Sequence, residues 1–318
     1  MLAPELREIA DTWPSGQFAT LDANSCAVAR SAHDELVRSL PLAEDDRVGW
    51  EDTQIRVAGD GREIPVRIYA PTAHRSARPA LVYYHGGAFA MGRPLSEHAR
   101  TLRIAAELGA IVVSVDYRLA PEHPFPAGFD DCYAALLWTR EHADRLGADP
   151  GRLAVGGASA GGCLAAAVAL AARDRHGPAL ACQFLICPVL DDRLQTGSMR
   201  RMAEVPVFNS ADAERMWSFY LGPNHRSVGS ETPSIYAAPA RAADLRGLPP
   251  AYVMTAEYDP LRDEAIDYAM RCLASGVTVE LHNVAGAVHG FDVLTDGPLA
   301  RFALQAQLDA LGRLLGRG

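Results

Sequence analysis

Residues 153–162 read Leu-Ala-Val-Gly-Gly-Ala-Ser-Ala-Gly-Gly, and an alanine-rich run follows them to residue 173. The first three residues fit a strand buried on both faces, and the alanine-rich run fits a helix. Between them lies Gly157-Ala158-Ser159-Ala160-Gly161. A sharp strand-to-helix turn puts its middle residue in a strained backbone conformation, and side chains flanking it would clash, so small residues are needed there. Ser159 would then stand where the new helix aims its N–H groups at any charge that develops beside it. The plainer reading is a glycine-rich turn that lets helix and sheet pack closely. Residues 154–172 carry no charge, yet Gly156, Gly157, Gly161 and Gly162 break the run, so strand, turn and helix fit it better than a membrane span of about 20 residues.

Continuous apolar runs at 80–84, 111–115, 182–187 and 251–255, with 277–281 last, suit further buried strands. Two shorter β-like runs precede them, 54–57 and 64–69, joined by the turn sequence AGDGRE. Helical patterns at 97–108, 130–142, 160–173 and 262–275 alternate with the strands. That rhythm predicts an α/β protein with a mostly parallel central sheet of about eight strands flanked by helices. Two segments stand outside it. Residues 1–47 form a polar helical leader, and the connection 188–249 is far longer than the usual few residues. The expected organisation is a catalytic body, 48–187 and 250–318, with a helical cap or lid from 1–47 and 188–249. The insertion has its own helical stretch at 211–221, where Met216, Trp217, Phe219 and Tyr220 crowd together.

A serine hydroxyl is a weak nucleophile unless a base takes its proton and donors hold the resulting oxyanion. His85-Gly86-Gly87-Ala88 follows the run 80–84, and paired glycines let backbone N–H groups approach a ligand without a Cβ in the way. The N–H groups of Gly86 and Gly87, with that of Ala160, are the expected oxyanion donors. His85 is expected to brace the loop rather than move protons.

Five blocks carry a resemblance: YYHGGAFAMG at 83–92, VSVDYRLAPEHPFPA at 113–127, GGASAGG at 156–162, YDPLRDE at 258–264 and HGF at 289–291. Together, and in this order, they resemble the hormone-sensitive-lipase family of bacterial esterases (family IV carboxylesterases), within the α/β-hydrolase superfamily. The resemblance covers most of residues 50–318. It implies the α/β-hydrolase fold, and it departs from the family at two positions. The family usually has a third glycine where this chain has Ala88, and an Asp or Thr where it has Ala158.

In that fold the chain order is serine, acid, histidine. Beyond residue 260 lie only His282 and His289. His282 is in phase with Thr278 and Glu280 on a strand and is expected to face solvent. His289 is in the loop that follows and is the expected base, in agreement with the HGF block. Asp259, just past the run 251–255, is one candidate acid; it also reads as a helix cap before Pro260. Glu257, Asp263 and Glu264 are rivals, the last two suited to a first helical turn. The resemblance places the acid at Asp259, which would fix the His289 tautomer and stabilise the imidazolium. Asp116 and Arg118 are expected to pair and brace the proline-rich loop 120–127.

The residues are read as a serine carboxylesterase, and the resemblance implies esters of short to medium acyl chains as its substrates. Phe89 and, from the cap, Phe208, Met216 and Trp217 are candidate walls of the substrate pocket. No metal or organic cofactor is expected. An amidase or deacetylase would use the same three residues. A small-molecule binding protein on this scaffold would lack the histidine, and a nicotinamide or flavin binder would need GxGxxG at the first strand–helix turn. With 30 Lys and Arg against 39 Asp and Glu, the net charge of −9 argues against nucleic-acid binding. The N-terminus has no apolar signal segment, and the six cysteines form no CxxC pair, so a reducing cytoplasmic setting without membrane attachment is expected. An exposed edge strand would leave room for a homodimer.

Overall fold

The computed structural model describes residues 1–13, 15–57, 61–73, 77–222 and 232–316. Residues 58–60 of the AGDGRE turn and 223–231 of the insertion are outside them. The apolar runs become strands of one sheet: β1 (Val48–Arg56), β2 (Glu63–Pro71), β3 (Arg78–Tyr84), β4 (Ile111–Val115), β5 (Ala148–Ala158), β6 (Gln183–Ile186), β7 (Ala251–Tyr258) and β8 (Val279–Val288). The order across the sheet is β1-β2-β4-β3-β5-β6-β7-β8. β1 and β2 pair antiparallel, as do β2 and β4, and every other neighbouring pair is parallel. All residues of β3 and β4 are buried, as expected of strands covered on both faces.

Helices cover the sheet. The first half of the chain supplies α1 (Pro4–Thr12), α2 (Ala23–Ser39), α3 (His98–Leu108), α4 (Ala127–Glu141), α5 (Ala143–Leu146) and α6 (Ala160–Asp174). The second supplies α7 (Gly197–Arg201), α8 (Ser210–Leu221), α9 (Arg262–Ala274), α10 (Phe291–Leu294) and α11 (Pro298–Leu314). In α6 every residue through Ala172 is buried, which explains its lack of any charged face. No helix among the described residues is long and apolar enough to cross a membrane.

Strand ends depart most from the sequence reading. β1 begins at Val48 rather than 54, because its nine-residue pairing with β2 recruits exposed polar positions that carry no apolar alternation. β8 runs on to Val288 rather than stopping at 281, with Gly286 at φ 74° near a register shift against β7. His289 is therefore the first residue past a strand, not part of a longer loop.

The leader and the insertion meet, but not along all their length. The backbone N–H groups of Ala19 and Gly16 donate to the two carboxylate oxygens of Asp212 in α8, at 2.8 and 3.2 Å. Phe18 meets Phe219 edge-on with centroids 5.7 Å apart. α1 instead belongs to the body: Leu6 is fully buried in the same core cluster as Val288 and Phe291, and Ala3 N–H donates to Gly286 O at 3.0 Å. The end of the insertion also packs on the body, where Arg271 donates to Ala240 O and Arg173 to Asp244 O.

Candidate active site

The strand–turn–helix read from residues 153–162 forms with Ser159 at its apex. β5 ends at Ala158, α6 starts at Ala160, and Ser159 between them has φ 56° and ψ −118°. That region is strained for a residue with a side chain, and such strain persists only where the surroundings hold it. They do so here by close approach. A Cβ on Gly157 would lie 2.5 Å from Gly161 O and Tyr84 O, and one on Gly161 would lie 1.9 Å from Tyr84 O.

Parallel strands deliver the other two residues to the same edge. His289 follows β8 and Asp259 follows β7. Ser159 Oγ–H donates to His289 Nε2 at 2.9 Å, and His289 Nδ1–H donates to Asp259 Oδ2 at 2.7 Å. The other carboxylate oxygen, Oδ1, accepts the Leu261 N–H at 2.9 Å. The cap-like role and the histidine contact coexist because each takes one oxygen, although α9 itself starts at Arg262, three residues past the aspartate. Asp259 is fully buried and His289 nearly so. Burial works against a charged imidazole, but the Asp259 carboxylate outweighs it and the His289 pKa is raised above the ordinary 6.5.

The rival acids have other partners. Glu257 accepts the Gly286 N–H at 2.7 Å, Asp263 accepts the Ser198 N–H, and Glu264 accepts the N–H groups of Leu190 and Asp191. His282 is half-buried and meets Glu280 at 3.0 Å.

The loop after β3 lies against Ser159. A Cβ on Gly86 would come 3.6 Å from Ser159 Cβ and 3.2 Å from Ala158 O. Gly87, at φ 122°, has no room for a Cβ, which would meet Met91 O at 2.2 Å. Ala88 and Phe89 take φ values of 54° and 58°. The turn thus keeps a left-handed conformation at Ala88, where the family resemblance leads one to expect a glycine. His85 braces it: the ring stacks on Tyr117 at 4.3 Å, and its Nδ1–H donates to Gly86 O at 2.7 Å. Burial holds the imidazole below its ordinary pKa, which favours the neutral form.

A family model described as alpha/beta hydrolase fold matches residues 81–293. The chain belongs to the α/β-hydrolase family. It is 41% identical over 295 residues to "Carboxylesterase NlhH" of Mycobacterium tuberculosis, covering 91% of this chain and 88% of that protein. Among solved structures it is similar to "Bacterial Heroin Esterase", with a TM-score of 0.91 and 41% identity over 99% of this chain and 98% of that one. It is also similar to esterase LipW from Mycobacterium marinum, with a TM-score of 0.89 and 37% identity over 99% and 96% of the two chains.

In this α/β-hydrolase the insertion sets Phe208 against His289 and Trp217 and Tyr220 against Phe89. Phe208 lies 5.0 Å from the His289 ring, and Phe89 lies 6.1 Å from Trp217. Phe89 stacks on Tyr220 at 3.7 Å, so Tyr220, three residues after Trp217 on the same helix face, joins the expected group. Met216 and Trp217 are fully buried. Asp116 and Arg118 do not form the expected pair. Arg118 forks onto Asp131 of α4, with Nε to Oδ2 at 2.9 Å and Nη2 to Oδ1 at 3.0 Å, and it also donates to Ala127 O. The first turns of α4 present Asp131 to the guanidinium, so a partner distant in sequence replaces the neighbour two residues away. Asp116 is partly buried, and burial raises its pKa.

Among the described residues, Cys187, Asp259 and His289 are the group whose ligand atoms cluster as a metal would need, within 4.8 Å of one another. Two of the three are already hydrogen-bonded to each other. The sequence reading missed Arg100, Glu97, Asp292 and Gln307, which form a buried ionic group beside His289. Asp292, just past the HGF block, is the one local signal of that group.

Proposed function

We propose that this α/β-hydrolase is a serine carboxylesterase that cleaves esters of short to medium acyl chains through an acyl-enzyme. One observation carries the reading: His289 is bonded at once to Ser159 Oγ and to Asp259. With Nδ1–H committed to Asp259, Nε2 holds the lone pair that accepts the serine proton. Ser159 Oγ bonds to the ester carbonyl carbon as its proton passes to Nε2. The N–H groups of Gly86, Gly87 and Ala160 hold the oxyanion. Collapse breaks the bond to the alcohol oxygen, which takes the proton from Nε2. Water then attacks the acyl-enzyme by the same route and releases the acid. The names of the similar proteins support the reaction class.

The test is hydrolysis of p-nitrophenyl esters from acetate to palmitate beside matched anilides. The expected result is turnover highest at short chains, with the anilides slow. Faster anilide than ester turnover would replace the reading with an amidase, and turnover of neither would remove it.

Two further outcomes follow. The base must be neutral to accept the proton, so kcat/KM rises with pH as His289 deprotonates. Because its pKa is raised, the midpoint of that rise is expected above 6.5; a midpoint at or below 6.5 in a pH profile would contradict the assignment. We also assign the acyl pocket to the insertion helix α8, with Phe89, Phe208, Met216 and Trp217 as its walls. Trp217→Ala is expected to move the preferred acyl chain to greater length in the same ester series, and an unaltered preference would remove Trp217 from the pocket.

A further inference from the structure

The loop that carries His289 turns at once into α10, and Asp292 in that short helix points away from solvent into a buried ionic group. Its Oδ2 accepts from Arg100 Nη1 at 3.0 Å and from Gln307 Nε2 at 2.7 Å. Arg100 Nη1 also donates to Gln307 Oε1 at 2.8 Å, and Arg100 Nε donates to Glu97 Oε2 at 2.9 Å. Tyr83 of β3 donates to the same Glu97 oxygen at 3.3 Å. All four of Arg100, Glu97, Asp292 and Gln307 are buried. Removing several polar groups from water is costly, and two carboxylates share one guanidinium here. A hydrophobic cluster would fill the same space at less risk, so the arrangement calls for a reason beyond stability.

Its position supplies one. Glu97 leads into α3, at the end of the segment that begins with the oxyanion loop, and its Oε1 would be 3.6 Å from a Cβ on Gly86. Asp292 is three residues past His289. Arg100 joins the two, so one guanidinium ties the loop of the expected oxyanion donors to the loop of the base.

We propose that Asp292, clamped by Arg100 and Gln307, is a positioning residue for His289: it fixes the turn that holds the imidazole against Ser159 and adds a second buried carboxylate to the surroundings of the ring. This rests on the reading of His289 as the general base. The charges and titratable groups facing His289 are Asp259 from the end of β7, Asp292 from α10 and the Cys187 thiol from the end of β6. Around Asp292 stand Arg100 and Glu97 of the α3 side, Gln307 of α11, Tyr252 of β7 and Cys187. Burial opposes ionisation of Asp292, but Arg100 and Gln307 outweigh it and hold its pKa below the ordinary 3.8. The carboxylate is therefore charged throughout the range in which the imidazole titrates. Asp259 first, and Asp292 after it, offset the burial that would lower the basicity of His289.

Asp292→Asn keeps the size of the side chain and removes the charge. The expected result is an acidic limb of kcat/KM displaced downward by roughly 0.5 in pH. A fall in kcat of about tenfold with KM little changed is expected beside it, since a misplaced base costs the chemical step rather than binding. The Nδ1 proton of His289, followed by NMR against pH, is expected to show the same downward displacement without reference to turnover. Gln307→Leu leaves the charge and loosens the clamp, so it is expected to lower kcat with the limb unmoved. It serves alone if Asp292→Asn does not fold. A reduced melting temperature with both the limb and the NMR midpoint unchanged in Asp292→Asn overturns the proposal, as does unchanged kcat in Gln307→Leu. If the wild type hydrolyses no ester, the esterase reading fails, while the NMR midpoint still decides whether Asp292 acts on His289.

Discussion

Ser159→Ala is expected to lower ester turnover about a millionfold, because the residues that accompany a serine nucleophile act as a unit and little of their effect survives its removal. What remains is binding and the oxyanion donors, which typically leave about 10³–10⁴-fold over water. The structure makes this variant a clean one. Ser159 sits at φ 56°, which alanine takes at a cost no greater than serine does, and Oγ's hydrogen bond is to His289. The folded state should be unaffected, so near-wild-type melting is the control. Purified Ser159→Ala keeping even a hundredth of wild-type activity would show another nucleophile at work. The assay needs active-site titration with a fluorophosphonate, because trace wild-type enzyme would otherwise set the floor.

The second large effect is on folding. Gly161→Ala adds one methyl group where the backbone of Tyr84 is 1.9 Å away and that of His85 is 2.5 Å away. Neither neighbour can yield. Tyr84 ends β3, which is paired on both sides to β4 and β5, and His85 opens the loop stacked on Tyr117. Relief would require moving α6 off the sheet. The expected cost exceeds about 4 kcal/mol, in the range reserved for severe core disruption, and the variant is expected to lose most of its soluble yield. Gly290→Ala is the comparison. Gly290 has φ 68° but open space around its missing Cβ, so only the backbone penalty of about 1 kcal/mol applies. Urea denaturation of the two side by side gives the measurement, and equal losses would mean that close packing at Gly161 is not what the glycine is for.

Much of the fold and of the site is legible in the residues themselves, for a physical reason. Where chain approaches chain, only Gly, Ala and Ser fit, so 156–162 announces its geometry in composition alone. Strands covered on both faces announce themselves as unbroken apolar runs, as at β3 and β4. Ser159 is readable because it stands just past such a run, and His289 because only it and His282 lie beyond residue 260; Asp259 is set apart from Glu257, Asp263 and Glu264 only by the family resemblance. Other features leave no local trace. β1 is an exposed edge whose polar residues become strand only through pairing with β2. Arg118 takes Asp131 thirteen residues on rather than the nearby Asp116, and Arg100, beside its neighbour Glu97, also reaches Asp292 far along the chain, which nothing near it in sequence names. α1 packs on the body through Leu6, with Leu2, Ala3 and Ile9 against the same cluster and Glu5 accepting the Leu299 N–H, and nothing in the segment itself names those distant partners.

The wholly buried α6 has a consequence during synthesis. Elements before it, β3, β5 and α4, cover part of α6, but one side is covered only by later chain: Gly162 lies against Pro188, and the Cys163 thiol reaches Ala237 O. Until the ribosome has delivered about that much more polypeptide, the most apolar helix of the protein has no partner on that side. N-terminal domains that fold as they emerge escape such exposure, whereas an intermediate stalled here would present sticky surface to its neighbours. The nascent chain, rather than the finished enzyme, is then where this sequence is most vulnerable to self-association. Holdase chaperones would be expected to engage it in that interval, between the appearance of the serine turn and the completion of the insertion.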